Sequence, residues 1–267
     1  MSVSPSDTPL FLATAIEAVV KAGRIQAEHA RRAFHVGKKG LIDLVTEVDV
    51  AVETEFRSLI AGRFPEHAVL GEEMGMSGDD SRARCRWLFD PIDGTTNYAH
   101  GLPIYCASAA LELDGRIQVA AVYDPNRQEL FTAERARGAF LNGAPLRVSL
   151  ASALVDSLLV TGFPYDVQTR TDDIVGLFGR FLGRARAVRR LGSAALDLCY
   201  VAAGRMDGFW EQDLKPWDVA AGMLLVEEAG GRVTDFGGAP FSPYGAHIVA
   251  SNGHLHQQML EVIGSRL

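Results

Sequence analysis

Residues 90–97 have the sequence DPIDGTTN, which places two carboxylates three positions apart beside a proline and a glycine. Asp90 precedes the proline, which disfavours helix, and the apolar run 86–89 before it has strand character. Gly94 permits a tight turn with close backbone approach. The octet therefore predicts a turn at the end of a strand that gathers carboxylate oxygens, the Ile92 carbonyl and backbone N–H groups.

Such a turn combines two kinds of ligand. Hard divalent cations prefer oxygen ligands, and a phosphate group prefers backbone N–H groups. Thr95 or Thr96 is expected to cap the helix that follows. Asp-Pro and Asp-Gly pairs are also common in ordinary turns, so the octet alone leaves a purely structural interpretation open. Other acidic segments decide between the two interpretations.

Three further segments place acids at the ends of apolar runs or at the starts of helices. In residues 43–49, a short strand precedes Thr46, which with Asp49 three positions later predicts a capping box. Residues 71–73 put two glutamates after an apolar run, and Asp218 follows a proline in the first turn of a predicted helix. Each acid alone is equally typical of a helix cap or a solvated loop, so only their joint occurrence indicates a site.

Taken together, these segments resemble the inositol monophosphatase family of metal-dependent, lithium-sensitive phosphatases. The matching stretches, in the order of the family, are DLVTEVD at 43–49, GEE at 71–73, DPIDGTTN at 90–97, GSAA at 192–195 and WDVAAG at 217–222. The likeness extends from about residue 10 to the C-terminus. It implies an α+β or α/β fold built as a layered αβαβα sandwich, a homodimer, and two or three Mg²⁺ ions as cofactor.

The same resemblance implies roles at the matching positions. The residues that match metal ligands are Glu72, Asp90, the Ile92 carbonyl, Asp93 and Asp218. Asp49 and Thr95 match the pair that orients and deprotonates the attacking water, and Glu72 also matches the contact to a third ion. The residues that match substrate contacts are Asp93, Gly94, Thr95, Gly192, Ser193, Ala194, Glu211 and Asp218. Lys38 matches a lysine on a mobile loop that closes over the metals.

The expected reaction is Mg²⁺-dependent hydrolysis of a small phosphate monoester by direct attack of water. Clustered acids would repel a phosphate dianion unless cations lay among them. Two such ions can lower the pKa of a bound water and stabilise both the attacking oxygen and the leaving oxygen. The sequence contains no Gly-x-Ser-x-Gly motif, P-loop or Cys/His zinc motif that would indicate another mechanism. A descendant that serves only as a binding partner in a macromolecular complex is the alternative, and the complete acid set disfavours it.

The sequence leaves several substrates open. The resemblance favours a phosphorylated polyol, above all myo-inositol monophosphate, because Glu211 matches an acid that holds a ring hydroxyl. Asp213 departs from the family pattern, and a second acid there could instead face an amine such as that of histidinol phosphate. Fructose 1,6-bisphosphate and phosphoadenosine phosphate, which relatives hydrolyse, are further alternatives.

Composition limits the other classes of function. The chain has 267 residues, of which 48% are hydrophobic, so a full core can form. A net charge of −7 argues against a nucleic-acid-binding surface, and the arginine-rich run 180–190 is expected to be a solvated segment rather than a partner surface. Three scattered cysteines, no apolar stretch of about 20 residues and no secretory N-terminus predict a cytoplasmic protein that does not bind membranes.

The order of apolar patterns predicts two halves with a boundary near residue 148. Residues 1–148 would form an α+β half that holds most metal ligands, with a helix over 8–35, a flexible loop over 35–41 and hairpins over 104–148. Residues 149–267 would form an α/β half that holds Asp218 and the substrate contacts.

Overall fold

The computed structural model describes residues 8–30, 35–40, 44–78 and 84–265. The predictions that concern the N-terminal residues and position 43 lie outside these ranges.

The seven helices of the described residues are α1 Thr8–His29, α2 Glu47–Arg63, α3 Thr95–Ala99, α4 Thr171–Leu182, α5 Ala194–Ala202, α6 Pro216–Glu228 and α7 His256–Gly264. Short 3-10 turns lie at Leu154–Asp156 and Val167–Thr169. In the described parts of the chain, none of these helices has the length and apolarity needed to span a membrane.

The strands of the N-terminal half are β1 Val36–Lys38, β2 Leu44–Thr46, β3 Ala68–Gly71, β4 Gly75–Ser77, β5 Cys85–Asp93, β6 Cys106–Leu113, β7 Arg116–Asp124, β8 Glu129–Glu134, β9 Gly138–Leu141 and β10 Ala144–Pro145. Those of the C-terminal half are β11 Leu158–Thr161, β12 Ala187–Arg189, β13 Gly208–Gln212, β14 Arg232–Thr234 and β15 His247–Ser251.

These strands form two large sheets and one small pair. The eight-stranded sheet has the order β10-β9-β8-β7-β6-β5-β3-β4, and only its β3–β5 pair is parallel. The five-stranded sheet has the order β12-β11-β13-β15-β14, in which β11 runs parallel to both of its neighbours. β1 and β2 form a separate antiparallel pair.

Three hydrophobic clusters define the layers. α1 and α2 pack on one face of the large sheet, where Phe56 stacks on Phe89 with ring centroids 3.9 Å apart. α5 and α6 are buried between the two sheets. α4 and α7 cover the outer face of the small sheet, where Phe181 stacks on Trp210 at 3.8 Å. This order of layers confirms the αβαβα sandwich expected from the sequence.

Several local predictions are corrected by pairing with distant strands. β1 replaces the expected flexible loop over 35–41, because residues 36–38 pair with β2. The strand that precedes Asp90 does not end there, since β5 continues through a bulge to Asp93. β4, β14 and α7 had no clear pattern in the sequence. The division of the chain near residue 148 stays a prediction.

Close packing between α5 and α6 depends on a glycine. A Cβ atom added to Gly222 would lie 2.5 Å from the Cβ and Cδ1 atoms of Leu198. We expect Gly222→Ala to lower the free energy of unfolding by about 1–3 kcal/mol through overpacking. Gly62→Ala in α2 is the matched control, because nothing lies within 4 Å of its added Cβ and alanine favours helix. Equal stability of the two variants in urea denaturation would contradict this interpretation of the interface.

Candidate active site

The bulge in β5 turns two acids toward one cavity. The register with β6 shifts between Asp90 and Asp93, and both side chains line the cavity. Inside the bulge, the Ile92 N–H donates to Asp90 Oδ1 at 2.9 Å, and Gln26 Nε2 of α1 donates to the Pro91 carbonyl at 2.6 Å. The proline therefore fits here, since a bulge does not need its missing N–H for the strand ladder.

The turn after β5 requires a glycine. Gly94 has φ of +101°, and an added Cβ would lie 2.9 Å from the Ile104 carbonyl oxygen. Gly94 is also the N-cap of α3, so the expected capping of this helix by Thr95 or Thr96 is wrong. The Thr95 hydroxyl, at the first helical position, instead lies 2.9 Å from the Ile92 carbonyl and 3.3 Å from Asp49 Oδ1.

Asp49 is held at the start of α2 by the predicted capping box. Its Oδ2 accepts from the Thr46 N–H at 2.7 Å and from the Thr46 hydroxyl at 2.6 Å. The side chain is fully buried, and this burial raises its pKa against the effect of these hydrogen bonds. Asp49 does not itself line the cavity but contacts it through Thr95.

Asp93 connects the large sheet to the central helices. Its carboxylate accepts from the Ser193 hydroxyl at 2.6 Å, the Ala194 N–H at 3.1 Å and the Ala195 N–H at 2.6 Å. Burial raises the pKa of Asp93, whereas these hydrogen bonds favour its charged form. The first turn of α5 is thereby fixed against β5.

Two more acids reach the same cavity from other elements. Glu72 directly follows β3, and Asp218 lies in the first turn of α6, where its Oδ2 accepts from the Lys215 N–H at 2.7 Å. Burial, and then the charge of Glu72, raise the pKa of Asp90 and of Asp218 well above the ordinary value. The acids of both halves are therefore crowded enough to repel one another.

The cavity has a volume of about 250 Å³. The sequence-predicted site residues that line it are Glu72, Asp90, Ile92, Asp93, Gly94, Thr95, Gly192, Ser193, Ala194, Glu211 and Asp218. Of the predicted set, Asp49 and Lys38 lie outside this lining.

Two adjacent lysines, the last residue of β1 and the residue directly after it, differ in their relation to the cavity. Lys38 is an exposed residue at the end of β1, and its predicted role over the metals stays a prediction. Lys39 lines the cavity and places Nζ 2.9 Å from Glu72 Oε1 and 2.6 Å from Glu73 Oε1. Although burial alone would lower the pKa of Lys39, the charge of Glu72 and the hydrogen bonds raise it. Its ammonium group thus supplies positive charge among the acids.

The donor set fits a hard divalent cation. The acids that line the cavity offer carboxylate oxygens, and the Ile92 carbonyl adds a neutral one, which are the ligands that Mg²⁺ prefers. Within the described ranges, no three histidine, cysteine or carboxylate side chains are already gathered around one point as ion ligands. Protein donors hold several of these oxygens instead, as at Asp93 and Asp218. A cation would replace part of this hydrogen bonding and relieve the repulsion among the acids.

The far wall of the cavity bears a further acid on β13. Glu211 is buried against Gly162, where an added Cβ would lie 2.2 Å from its Oε1. Burial, and then the charge of Asp93, raise the pKa of Glu211 to about 8. Asp213, the other acid of this segment, is instead engaged by Arg170, which also donates to Gln212 at 2.7 Å.

Four charged residues of the cavity wall were not predicted from the sequence: Lys39, Arg190, Asp197 and Lys215. Lys39 is adjacent to the lysine that the family resemblance favours, and Arg190 belongs to a run that was expected to be solvated. Asp197 stands alone in the apolar stretch of α5, and an acid at such a position was a usable signal.

The raised pKa of Glu211 predicts that its effect on the stability of the fold depends on pH. Its pKa of about 8 lies above the ordinary 4.5, so ionisation of Glu211 destabilises the fold as pH rises between these values. Below pH 4.5 Glu211 is protonated in both the folded and the unfolded chain, so its ionisation costs no stability there. We therefore expect Glu211→Gln to gain several degrees in Tm relative to wild type between pH 5 and pH 8, both in EDTA.

Thermal unfolding at several pH values measures this difference. The exposed substitution Glu261→Gln in α7 is the matched control for loss of a glutamate charge. A Tm difference between Glu211→Gln and wild type that stays constant from pH 5 to pH 8 would count against the raised pKa.

Comparison with known sequences agrees with this site. The sequence pattern of the inositol monophosphatase family matches residues 8–266. An inositol-1-monophosphatase from Synechocystis sp. is 42% identical over 263 residues, which cover 98% of this chain and 91% of the relative. A Nus factor SuhB from Pseudomonas aeruginosa is 44% identical over 262 residues, which cover 96% of this chain and 97% of the relative.

Solved structures show the same fold. The extragenic suppressor protein suhB from Bartonella henselae has a TM-score of 0.91 and 37% identity, over 97% of this chain and 100% of that chain. The inositol monophosphatase from Anabaena (Nostoc) sp. has a TM-score of 0.87 and 40% identity, over 96% of this chain and 95% of that chain. The chain therefore belongs to the inositol monophosphatase family of phosphatases.

Proposed function

We propose that this protein hydrolyses a small phosphate monoester, myo-inositol monophosphate above all, with Mg²⁺ ions held by Glu72, Asp90, Asp93, Asp218 and the Ile92 carbonyl. The observation that carries the proposal is the meeting of these groups, from β3, β5 and α6, in one cavity. Bound divalent cations would neutralise the phosphate and lower the pKa of the attacking water. Family resemblance adds a homodimer and sensitivity to Li⁺ to the proposal.

The Asp49–Thr95 pair is proposed to handle the water. The Thr95 hydroxyl lies within reach of Asp49, and its oxygen lies at the cavity wall, where it can accept a hydrogen bond from water. Asp49 is fully buried, and this burial raises its pKa, which makes its carboxylate a better proton acceptor. The Thr95 hydroxyl that orients the water would therefore itself be oriented by Asp49.

The leaving alcohol is proposed to lie between the start of α5 and β13. Gly192, Ser193 and Ala194 form one wall there and Glu211 the other. Because Arg170 pairs with Asp213, that carboxylate is not free to attract an amine. This pairing supports a polyol over an amino alcohol such as histidinol.

A role without catalysis is the second candidate, since a relative at 44% identity is named a Nus factor. The full acid set and the Asp49–Thr95 contact support catalysis, because a binding protein would not need these buried charges.

A substrate panel tests the proposed function. We expect release of phosphate from myo-inositol monophosphate to exceed that from histidinol phosphate, fructose 1,6-bisphosphate and phosphoadenosine phosphate, and to stop in EDTA until Mg²⁺ is restored. Asp93→Asn is the matched control that assigns any phosphate release to this cavity. Activity that survives EDTA would refute the metal-dependent mechanism, and a chain that hydrolyses none of the esters would favour the binding role.

Thr95→Ala tests the handling of water. General-base assistance is worth about 10²–10⁴-fold, so we expect kcat to fall in this range with little change in KM. Since Gly94 provides the N-cap of α3, Thr95→Ala leaves this cap intact, and any fall in Tm reports only the lost contacts of the hydroxyl with Asp49 and the Ile92 carbonyl. Thr95→Ser keeps the hydroxyl and serves as the matched control. A Thr95→Ala variant that loses stability but retains kcat would show that the hydroxyl has only a structural role.

A further inference from the structure

Asp197 is a buried carboxylate in an otherwise apolar helix. It lies in the first turn of α5, is 1% exposed, and lines the same cavity as Glu211. Its Oδ1 atom has no hydrogen-bond partner among the described residues. Buried polar atoms are normally paired, since an unpaired one costs free energy, and each exception calls for an explanation.

The position of this oxygen offers an explanation. Asp197 lines a cavity that the proposed function fills with substrate, so a ligand can supply the partner that this oxygen lacks among the described residues. The local charges agree, because burial and the charge of Glu211 raise the pKa of Asp197 while Arg190 opposes them.

We propose that Asp197 is a specificity-determining residue, whose Oδ1 accepts a hydrogen bond from a hydroxyl of a polyol leaving group. This inference rests on the proposed phosphatase function and adds a second contact on the alcohol side, beside the one expected at Glu211. It requires a substrate with hydroxyls that reach both α5 and β13.

A neutral hydroxyl fits this place better than an amine. Arg190 lies on the same wall and also stacks over Phe163, with its guanidinium carbon 5.8 Å from the ring centroid. An ammonium group placed against Asp197 would meet this positive charge, whereas a hydroxyl would not. A site with a buried unpaired acceptor also discriminates strongly against a substrate that lacks the matching donor.

The test compares two esters that differ in hydroxyl content. For Asp197→Ala, which removes the acceptor oxygen, we expect KM for myo-inositol monophosphate to rise about 10- to 100-fold, the range for a hydrogen bond to a charged acceptor. Hydrolysis of 4-nitrophenyl phosphate, whose leaving group has no hydroxyl to donate, should change less than about twofold. Wild type should lose about the same factor in KM on the deoxyinositol monophosphate that lacks the contacting hydroxyl. The variant has already lost this contact, so its KM should change little more on that ester.

The controls separate this inference from a structural role and from the proposed function. Asp173→Asn, an exposed first-turn acid of α4, should leave both esters unaffected. Asp197→Asn, whose amide oxygen can still accept the hydroxyl, provides a second variant that should lose less than Asp197→Ala, and Tm shows whether either one is folded. An equal loss on both esters, or no loss on either, overturns the role of Asp197. A preference for histidinol phosphate that depends on Asp197 would indicate an amine contact instead. A wild-type protein that hydrolyses neither ester refutes the proposed function itself.

Discussion

The hydrogen bonds that Asp93 accepts from the first turn of α5 are the interaction on which the site depends. They join β5 of the large sheet to the helical layer that separates the two sheets. Beside them, Asn97 Nδ2 of α3 donates to the carbonyls of Ile104 and Leu191, both at 2.8 Å. These contacts fix the distance between the acids on β5 and the proposed substrate contacts at the start of α5. A cavity wall built from both halves can therefore be rigid without a ligand.

The same arrangement leaves the cavity with more negative charge than the protein balances. The pKa values of Asp90 and Asp218 are raised well above the ordinary value by burial and mutual repulsion, and Lys39 offsets only part of this charge. Such crowding opposes folding and must be balanced by the apolar layers on either side. A fold that maintains this crowding is suited to bind cations, since each bound cation relieves the repulsion among acids that destabilises the free protein.

The sequence predicted the elements whose pattern is local and missed those that depend on distant partners. The capping box at Thr46 follows from neighbouring residues, and the structure has it as predicted. The continuation of β5 past Pro91 could not be foreseen, because it depends on pairing with β6 and on a hydrogen bond from Gln26. The predicted cap of α3 was wrong for a similar reason, since the Thr95 hydroxyl contacts Asp49, which lies 46 positions earlier in the chain.

Asp197 and Asp213 show why substrate contacts are harder to predict than metal ligands. Both are single acids near the alcohol side, yet Arg170 pairs with Asp213 while Asp197 keeps an unpaired oxygen at the cavity wall. The local sequence marks Asp197 as an acid in an apolar helix, but it does not show that Asp213 is paired, because Arg170 comes from another segment of the fold. The proposed metal ligands come from β3, β5 and α6, whereas the alcohol side is formed by α5 and β13. Selection of the substrate can therefore change in this fold while the acids that are proposed to hold cations stay the same.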